Sequence, residues 1–235
     1  MDKAIEIQNM TLVLGGRTIL NIPYFAVENG QSVSLMGPNG AGKTSLMLIM
    51  AALQPPTSGT ITWFGKKAEN HDLLELRRKM AMVFQKPMML DLSVTENVEL
   101  GLKFRHVSRK EREKRVKPWL EKLGIAHLAR QRARSLSGGE AQRVAIAQAL
   151  VLQPQVIFLD EPFSNLDKAT RDEFKQDIGR LLREQQITTV MVTHHIREAT
   201  DLTDIIYYME DGEIVGQKAV KDGISIDQFG MGEEC

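Results

Sequence analysis

The sequence predicts an α/β protein with a mixed β-sheet core, an antiparallel β subdomain at the N-terminal end and an inserted α-helical subdomain. VIFL at 156–159 is an uninterrupted apolar run before two acidic residues, which is typical of a strand buried in a parallel sheet. Strand-like segments occur in both halves of the chain, whereas the pattern over 93–152 is helical. We expect a single domain over 1–235, with 1–92 and 153–235 as the catalytic α/β core and 93–152 as the helical subdomain.

The first part of the chain alternates short strand-like runs with turns. Gly-Gly at 15–16 and Asn-Gly at 29–30 are turn pairs, which bound runs of alternating apolar residues. A helix is expected from Gly42 to about Leu53, because Pro55-Pro56 cannot continue it. The predicted strands of this part are Ala4–Ile7, Thr11–Leu14, Ser32–Leu35, Gly59–Phe64 and Met80–Phe84.

Helix-start signals dominate the middle of the chain. A serine lies three residues before a glutamate at Ser93…Glu96, Ser108…Glu111 and Ser137…Glu140, which is the spacing of a capping box. The later elements are predicted as strands Val156–Leu159, Thr188–Val192 and Ile205–Met209 and as a helix Lys168–Glu184. Strands that alternate with helices in this way predict a parallel sheet.

Composition excludes several classes of protein. Thirty basic residues balance thirty acidic ones, so net charge recruits neither nucleic acid nor membrane. No run approaches the length of a membrane span, the start MDKAIEIQNM is unlike a secretion signal, and the one cysteine, Cys235, rules out an internal disulfide. The helical segment carries a basic run around 105–117; we interpret it as a solvated helix face, with nucleic-acid contact as the alternative.

SVSLMGPNGAGKTSL at 32–46 predicts a nucleotide-binding loop. A strand, then Gly37-x-x-x-x-Gly42-Lys43-Thr44, then a helix, would let backbone N–H groups and the positive helix end face phosphate oxygens. Lys43 would bind the β- and γ-phosphates, the Thr44 hydroxyl would ligate Mg²⁺, and Ser45 would reach the α-phosphate. The predicted nucleotide contacts are Gly37, Pro38, Asn39, Gly40, Ala41, Gly42, Lys43, Thr44 and Ser45.

Two carboxylates follow the buried strand at 156–159. Asp160 at its C-terminal end would hold the Mg²⁺, and Glu161 would polarise the water that attacks the γ-phosphate. An acidic strand cap facing solvent is the alternative, but the nearby phosphate loop favours a catalytic pair.

The order of these motifs resembles the nucleotide-binding subunit of ABC transporters, over nearly the whole chain. LSGGE at 136–140 resembles the family's signature sequence, and SNLD at 164–167 its D-loop. FQKP carries Gln85 at the position of the Q-loop glutamine, and VTHH carries His194 at that of the switch histidine. The resemblance implies a P-loop NTPase core that hydrolyses ATP with Mg²⁺.

The same resemblance implies roles for residues outside the phosphate loop. Ser137, Gly138 and Gly139 would bind the ATP held by a second copy of the chain, so that two ATP molecules lie within a head-to-tail homodimer. Gln85 would sense the γ-phosphate and Mg²⁺, and His194 would contact the γ-phosphate beside the catalytic Glu161.

Two positions depart from the family pattern. Leu14 stands where an aromatic residue usually stacks on adenine, so selectivity for ATP over GTP is an open question. His195 follows the switch histidine where aspartate is common.

The partners are implied by the resemblance as well. EPFSNLD and the phosphate-loop region resemble importer subunits, including those of tungstate or molybdate importers, which implies an integral-membrane permease, an external solute-binding protein and a peripheral location on the cytoplasmic face. The apolar segment Lys86–Leu90 would contact the permease; packing of Met88 and Leu90 beneath the helical segment is the alternative. A soluble ATPase of iron–sulfur cluster assembly would share every motif, and a non-catalytic nucleotide switch is disfavoured by Glu161 and His194.

Overall fold

The computed structural model describes residues 2–68, 72–164 and 166–222. Its strands are β1 (Lys3–Leu14), β2 (Arg17–Glu28), β3 (Ser32–Met36), β4 (Ser58–Trp63), β5 (Met80–Val83), β6 (Val156–Asp160), β7 (Thr188–Val192), β8 (Ile205–Glu210) and β9 (Glu213–Ala219). Its α-helices are α1 (Lys43–Met50), α2 (Leu73–Arg78), α3 (Val94–Phe104), α4 (Arg109–Lys122), α5 (Gly138–Leu150), α6 (Lys168–Glu184) and α7 (Ile196–Leu202).

The strands form two sheets. The antiparallel sheet has the order β2-β1-β4, and the larger sheet has the order β5-β6-β7-β3-β8-β9. In the larger sheet only β9 runs antiparallel to its neighbour, β8, so the carboxyl ends of the remaining strands meet at one edge. The α/β class, the mixed sheet and the N-terminal antiparallel subdomain are thereby confirmed.

The N-terminal hairpin is longer than the sequence pattern indicates. β1 is one strand rather than the two predicted, because the chain passes through Asn9 with a φ of 47° and continues pairing. β2 was not predicted, and Pro23 lies at its middle. Proline has no N–H to donate, but β2 is the edge strand of its sheet, where one missing donor is tolerated.

Helices α3, α4 and α5 lie within 93–152, as predicted for the helical segment. Full capping boxes form at Ser93 and Ser137, and Ser108 accepts the backbone N–H of Glu111. The apolar faces of these helices join one face of the large sheet in a single cluster that includes Val98, Leu120, Ile146, Ile157 and Met191.

The basic run of the helical segment is largely paired with acids on the same surface. On α4, Arg109 contacts Glu113 and Arg115 contacts Glu111, each four residues apart. This ladder is typical of a solvated helix face, which supports that interpretation over nucleic-acid contact.

Candidate nucleotide-binding site

The phosphate loop lies at the carboxyl edge of the large sheet, between β3 and α1. Gly37 has a φ of 140°, and a Cβ there would lie 2.0 Å from the carbonyl oxygen of Met209. Gly42 has a φ of 90°, and a Cβ there would lie 2.6 Å from Leu20. Gly37 is therefore required by space as well as by conformation, and Gly42 chiefly by its positive φ; they place the start of α1 directly behind the loop.

Lys43 extends across the loop that precedes it. Its side chain is 7% exposed, and its Nζ donates to the carbonyl oxygens of Gly37 and Pro38, 2.8 Å away in each case. Burial lowers the pKa of Lys43, and the negative charges of Glu161 and Asp160 oppose that shift. The ammonium group is thereby fixed over the concave side of the loop, where an anion would bind.

The remaining loop residues differ in exposure. Ala41 is buried, Ser45 is half-buried, and Pro38, Asn39 and Gly40 are exposed. The loop is thus anchored at its ends, while its centre is open to a ligand.

Asp160 meets the first helical turn after the loop. It ends β6, is 9% exposed, and accepts from the Thr44 hydroxyl, with Oγ1 lying 3.4 and 3.5 Å from its two carboxylate oxygens. Burial and the charge of Glu161 raise the pKa of Asp160, while Thr44 and Lys43 oppose the rise. The strand thus brings a hydroxyl and a carboxylate together, at the two positions that the sequence analysis proposes as Mg²⁺ ligands.

These oxygen donors fit Mg²⁺ that arrives with a triphosphate. Mg²⁺ keeps several waters and uses one or two protein oxygens together with substrate phosphates. Within the described ranges, no cluster of three histidine, cysteine, aspartate or glutamate side chains forms a metal cage of its own.

Glu161 connects the ends of three adjacent strands. Its Oε2 accepts from the side-chain Nε2 of Gln85, 2.9 Å away, and its Oε1 lies 3.2 Å from Nδ1 of His194. Gln85 follows β5 and His194 follows β7, so the strand order β5-β6-β7 explains the meeting. Each carboxylate oxygen is therefore held by one neighbour, beside Asp160 and the phosphate loop.

The signature segment starts α5 in the helical part of the molecule. Ser137 caps the helix through Glu140, and Ser137 and Gly138 are exposed. The capping box occupies the serine hydroxyl and Glu140, whereas the glycines place no side chain over the helix start. Asn165 of the D-loop segment lies outside the described residues.

One pair beside His194 was not identified from the sequence. Thr193 donates its hydroxyl to Glu198, which lies in the first turn of α7. His195 packs against His194 with ring centroids 4.0 Å apart and the two ring planes tilted by 43°. Burial lowers the pKa of His195; the negative charge of Glu198 opposes that shift, while the positive Arg171 acts in the same direction as burial. The signal in the sequence that could have revealed this pair is a threonine directly before the switch histidine and a glutamate four residues after it.

The segment after β5 presents an apolar surface. Met88 is 87% exposed and Leu90 46% exposed, so they do not pack beneath the helices. Phe84, Met88 and Phe104 line a groove of about 460 Å³ between β5 and the helical segment. The alternative that this segment is internal packing is therefore wrong for Met88.

Known proteins share these features. Residues 20–164 match the family described as ABC transporter. The tungstate uptake system ATP-binding protein TupC of Peptoclostridium acidaminophilum is 34% identical over 89% of this chain and 96% of its own length. The molybdate/tungstate import ATP-binding protein WtpC of Thermococcus kodakarensis is 39% identical over 86% of this chain, and the match spans 61% of that longer protein.

Solved structures agree with the sequence comparisons. The structure of cbiO1 from Clostridium perfringens, described as part of the ABC transporter complex cbiONQ, has a TM-score of 0.89 and 27% identity, and covers 97% of this chain and 93% of its own. A dimeric ATP-binding cassette in a post-hydrolysis state, bound to ADP and Pi, has a TM-score of 0.83 and 33% identity, and covers 92% and 98%. The phosphate loop, the paired acids and these matches together show that this chain belongs to the ABC transporter family.

Proposed function

We propose that this protein is the ATP-hydrolysing subunit of an importer, and that it acts as a homodimer docked on a membrane permease. The observation that carries the proposal is the position of Glu161, held by Gln85 and His194 beside Asp160 and the phosphate loop. As an ABC ATPase it binds and hydrolyses ATP, and its relatives are named as import proteins. Those names favour transport over the assembly of iron–sulfur clusters.

The phosphate loop would hold the triphosphate. Backbone N–H groups from Gly37 to Gly42 and the start of α1 supply partial positive charge, and Lys43 supplies a full one. The Ser45 hydroxyl lies in the first turn, where it would donate to the α-phosphate.

Thr44 and Asp160 would hold Mg²⁺, with the side-chain oxygen of Gln85 as a further ligand. When bound, the ion supplies positive charge that neutralises the phosphate oxygens. Gln85 donates its amide nitrogen to Glu161 in the structure, so ligation through its oxygen leaves that hydrogen bond possible.

Glu161 would orient the attacking water and accept its proton. A carboxylate whose two oxygens are held by different neighbours has a fixed direction, which lowers the cost of positioning the water. His194 would contact the γ-phosphate from the opposite side of that carboxylate.

A second copy of the chain would complete the site. Its signature segment has Ser137 and Gly138 exposed and Gly139 half-buried at a helix start, which suits an anion that already lies on the first copy's loop. The dimeric relative with ADP and Pi supports this arrangement.

The dimer is tested by the dependence of hydrolysis on protein concentration. We expect the specific rate to rise with concentration, and Ser137→Arg to abolish the rise, because its side chain fills the exposed helix start. Ser93→Arg, at the other full capping box, is the matched control. A specific rate that is independent of concentration, with normal activity of Ser137→Arg, would contradict the dimer.

The apolar groove beside Gln85 would bind the permease. None of the helices in the described ranges combines the length and apolarity needed to cross a bilayer, so a separate membrane protein would carry the solute. We propose that the complex lies on the cytoplasmic face, works with an external solute-binding protein and imports a small oxyanion such as tungstate or molybdate. Identifying the membrane subunit that copurifies with the chain tests this assignment; a soluble scaffold in its place would contradict it.

A further inference from the structure

The turn that presents His194 is fixed from behind by a buried pair. Thr193, 1% exposed, donates its hydroxyl to the carboxylate of Glu198, which is 3% exposed. The same hydroxyl oxygen accepts the backbone N–H of His195, 3.1 Å away. The Thr193 side chain therefore links both residues that flank His194 to Glu198 of α7.

The other oxygen of this carboxylate has no such contact. Glu198 Oε1 is buried and has no hydrogen-bond partner among the residues that the structure describes, which is costly for a carboxylate. Glu198 lies in the first turn of α7, where Ala199 and Leu202 supply the buried apolar contacts of the helix. Such a costly group in a short helix is typical of a functional or strained site.

The backbone on either side of the turn is tied to the site. The Thr193 N–H donates to the carbonyl oxygen of Leu35, which precedes the phosphate loop on β3, and the Glu161 N–H donates to Val192. The backbone hydrogen bonds at the end of β7 thus hold one side of the turn that carries His194. The Thr193–Glu198 pair holds the other side, and together they set the position of His194 relative to Glu161.

We propose that Glu198 is a positioning residue for hydrolysis, which acts through Thr193 to hold His194 against Glu161. This inference rests on the proposed ATPase function and adds to it two buried residues, Thr193 and Glu198, that act through the turn carrying His194.

The test removes the hydroxyl without changing the size of the side chain. Thr193→Val should lower kcat by about 10- to 100-fold, with KM for ATP unchanged, because displacing a positioned group by an ångström costs that much. Thr193→Ser keeps the hydroxyl and should restore kcat. Thr203→Val is the matched control, since Thr203 is buried at the other end of α7 and donates to Ala199.

A second variant and a second readout separate positioning from folding. Glu198→Gln keeps an oxygen that accepts from Thr193, so kcat should stay near wild type, whereas Glu198→Ala should match Thr193→Val. The imidazole NMR resonances of His194 should shift in Thr193→Val and not in Thr203→Val. Unchanged resonances, or equal kcat in Thr193→Val and wild type, would overturn the positioning role. A wild-type protein that binds no ATP and hydrolyses none would instead overturn the proposed function.

Discussion

Glu161 has a backbone φ of 44°, in the left-handed region that residues with a side chain rarely adopt. Such a conformation costs of order 1–3 kcal/mol and persists only where the surroundings impose it. Here the N–H bond to Val192 and the contacts of the carboxylate with Gln85 and His194 impose it. This backbone conformation is the one in which the Glu161 carboxylate contacts Gln85 and His194.

Replacing Glu161 by glutamine tests its role. Glu161→Gln should lower turnover by about 10²- to 10⁴-fold, because the amide cannot accept the proton of water. ATP binding should persist and a stable ATP-bound dimer should accumulate, measured by nucleotide affinity and light scattering. Glu173→Gln, on the exposed side of α6, is the control. Turnover at the wild-type rate would remove Glu161 from catalysis.

A second prediction for a single residue concerns Leu14 and the affinity for the nucleotide base. Its side chain is 50% exposed at the end of β1, where an aliphatic surface offers the base no ring to stack on. Wild-type protein should therefore bind the base of either ATP or GTP weakly. Leu14→Tyr should tighten ATP binding by about 1 kcal/mol, roughly fivefold, through stacking.

The control for this change is Val13→Tyr, on the opposite face of the same strand. Titration with fluorescent ATP and GTP analogues measures both affinities. A wild-type affinity for ATP as high as that of Leu14→Tyr would show that the base is recognised elsewhere.

At the scale of single residues, the sequence predicted the parts of the site that lie in short motifs. The phosphate loop and the pair Asp160-Glu161 are each formed by a strand and the residues that follow it, so the local residue pattern is enough to locate them. The meeting of Gln85, Glu161 and His194 follows from strand order, which local pattern does not contain. The roles of these residues stay predictions.

Among the elements, α3 and α4 are joined by an ion cluster around Glu99. Burial raises the pKa of Glu99, but hydrogen bonds from Lys103 and Arg112 outweigh it, so that the pKa lies below 4.5. Lys103 Nζ lies 2.6 Å from Oε1 of Glu99, and Arg112 Nε lies 2.8 Å from its Oε2. Because the folded-state pKa is lowered, the stabilisation is present above pH 4.5 and is lost as the pH falls through the folded-state value.

Glu99→Gln should therefore destabilise the protein by roughly 1–3 kcal/mol at neutral pH. The difference from wild type should shrink as the pH falls below 4.5. Urea unfolding across this pH range measures it, with Glu113→Gln as an exposed control on α4. A difference that does not change with pH would show that the charge of Glu99 contributes nothing.

The elements that the sequence did not reveal are short or at edges. The helix Lys168–Glu184 was predicted with its observed bounds, since seventeen residues repeat the helical pattern several times. Helices α2 and α7 have six and seven residues, too few for a clear period. β9 alternates half-buried and exposed side chains at the edge of the sheet, which gives little apolar signal.

Across the whole molecule, the apolar groove between sheet and helical segment is the surface proposed for the permease. Met88→Asp and Phe104→Asp should each weaken binding of the copurified permease by about 2 kcal/mol, because a charge would enter an apolar contact. Nucleotide affinity should not change. Leu74→Asp, an exposed leucine on α2 outside the groove, is the control. Permease binding that is equally strong in all three variants would place the contact elsewhere.

The whole-molecule features were predictable to different degrees. The spacing of apolar residues predicts a strand, loop and helix first, a helical insert next and further strands at the end. That order was sufficient to predict the fold class. The groove depends on how two layers face each other, and the sequence left the position of Met88 open. The division at 92 and 153 stays a prediction.

The shared cluster of sheet and helices has a consequence for protein engineering. Val83, Ile157 and Leu159 of the sheet and Val98 and Ile146 of the helices belong to one contiguous apolar interior. A chimera that imports only residues 93–152 from a homologue would set foreign side chains against the native strands, leaving voids or overlaps. Successful transplants must carry the facing strand positions with them, so the insert and the strands beneath it should be exchanged together.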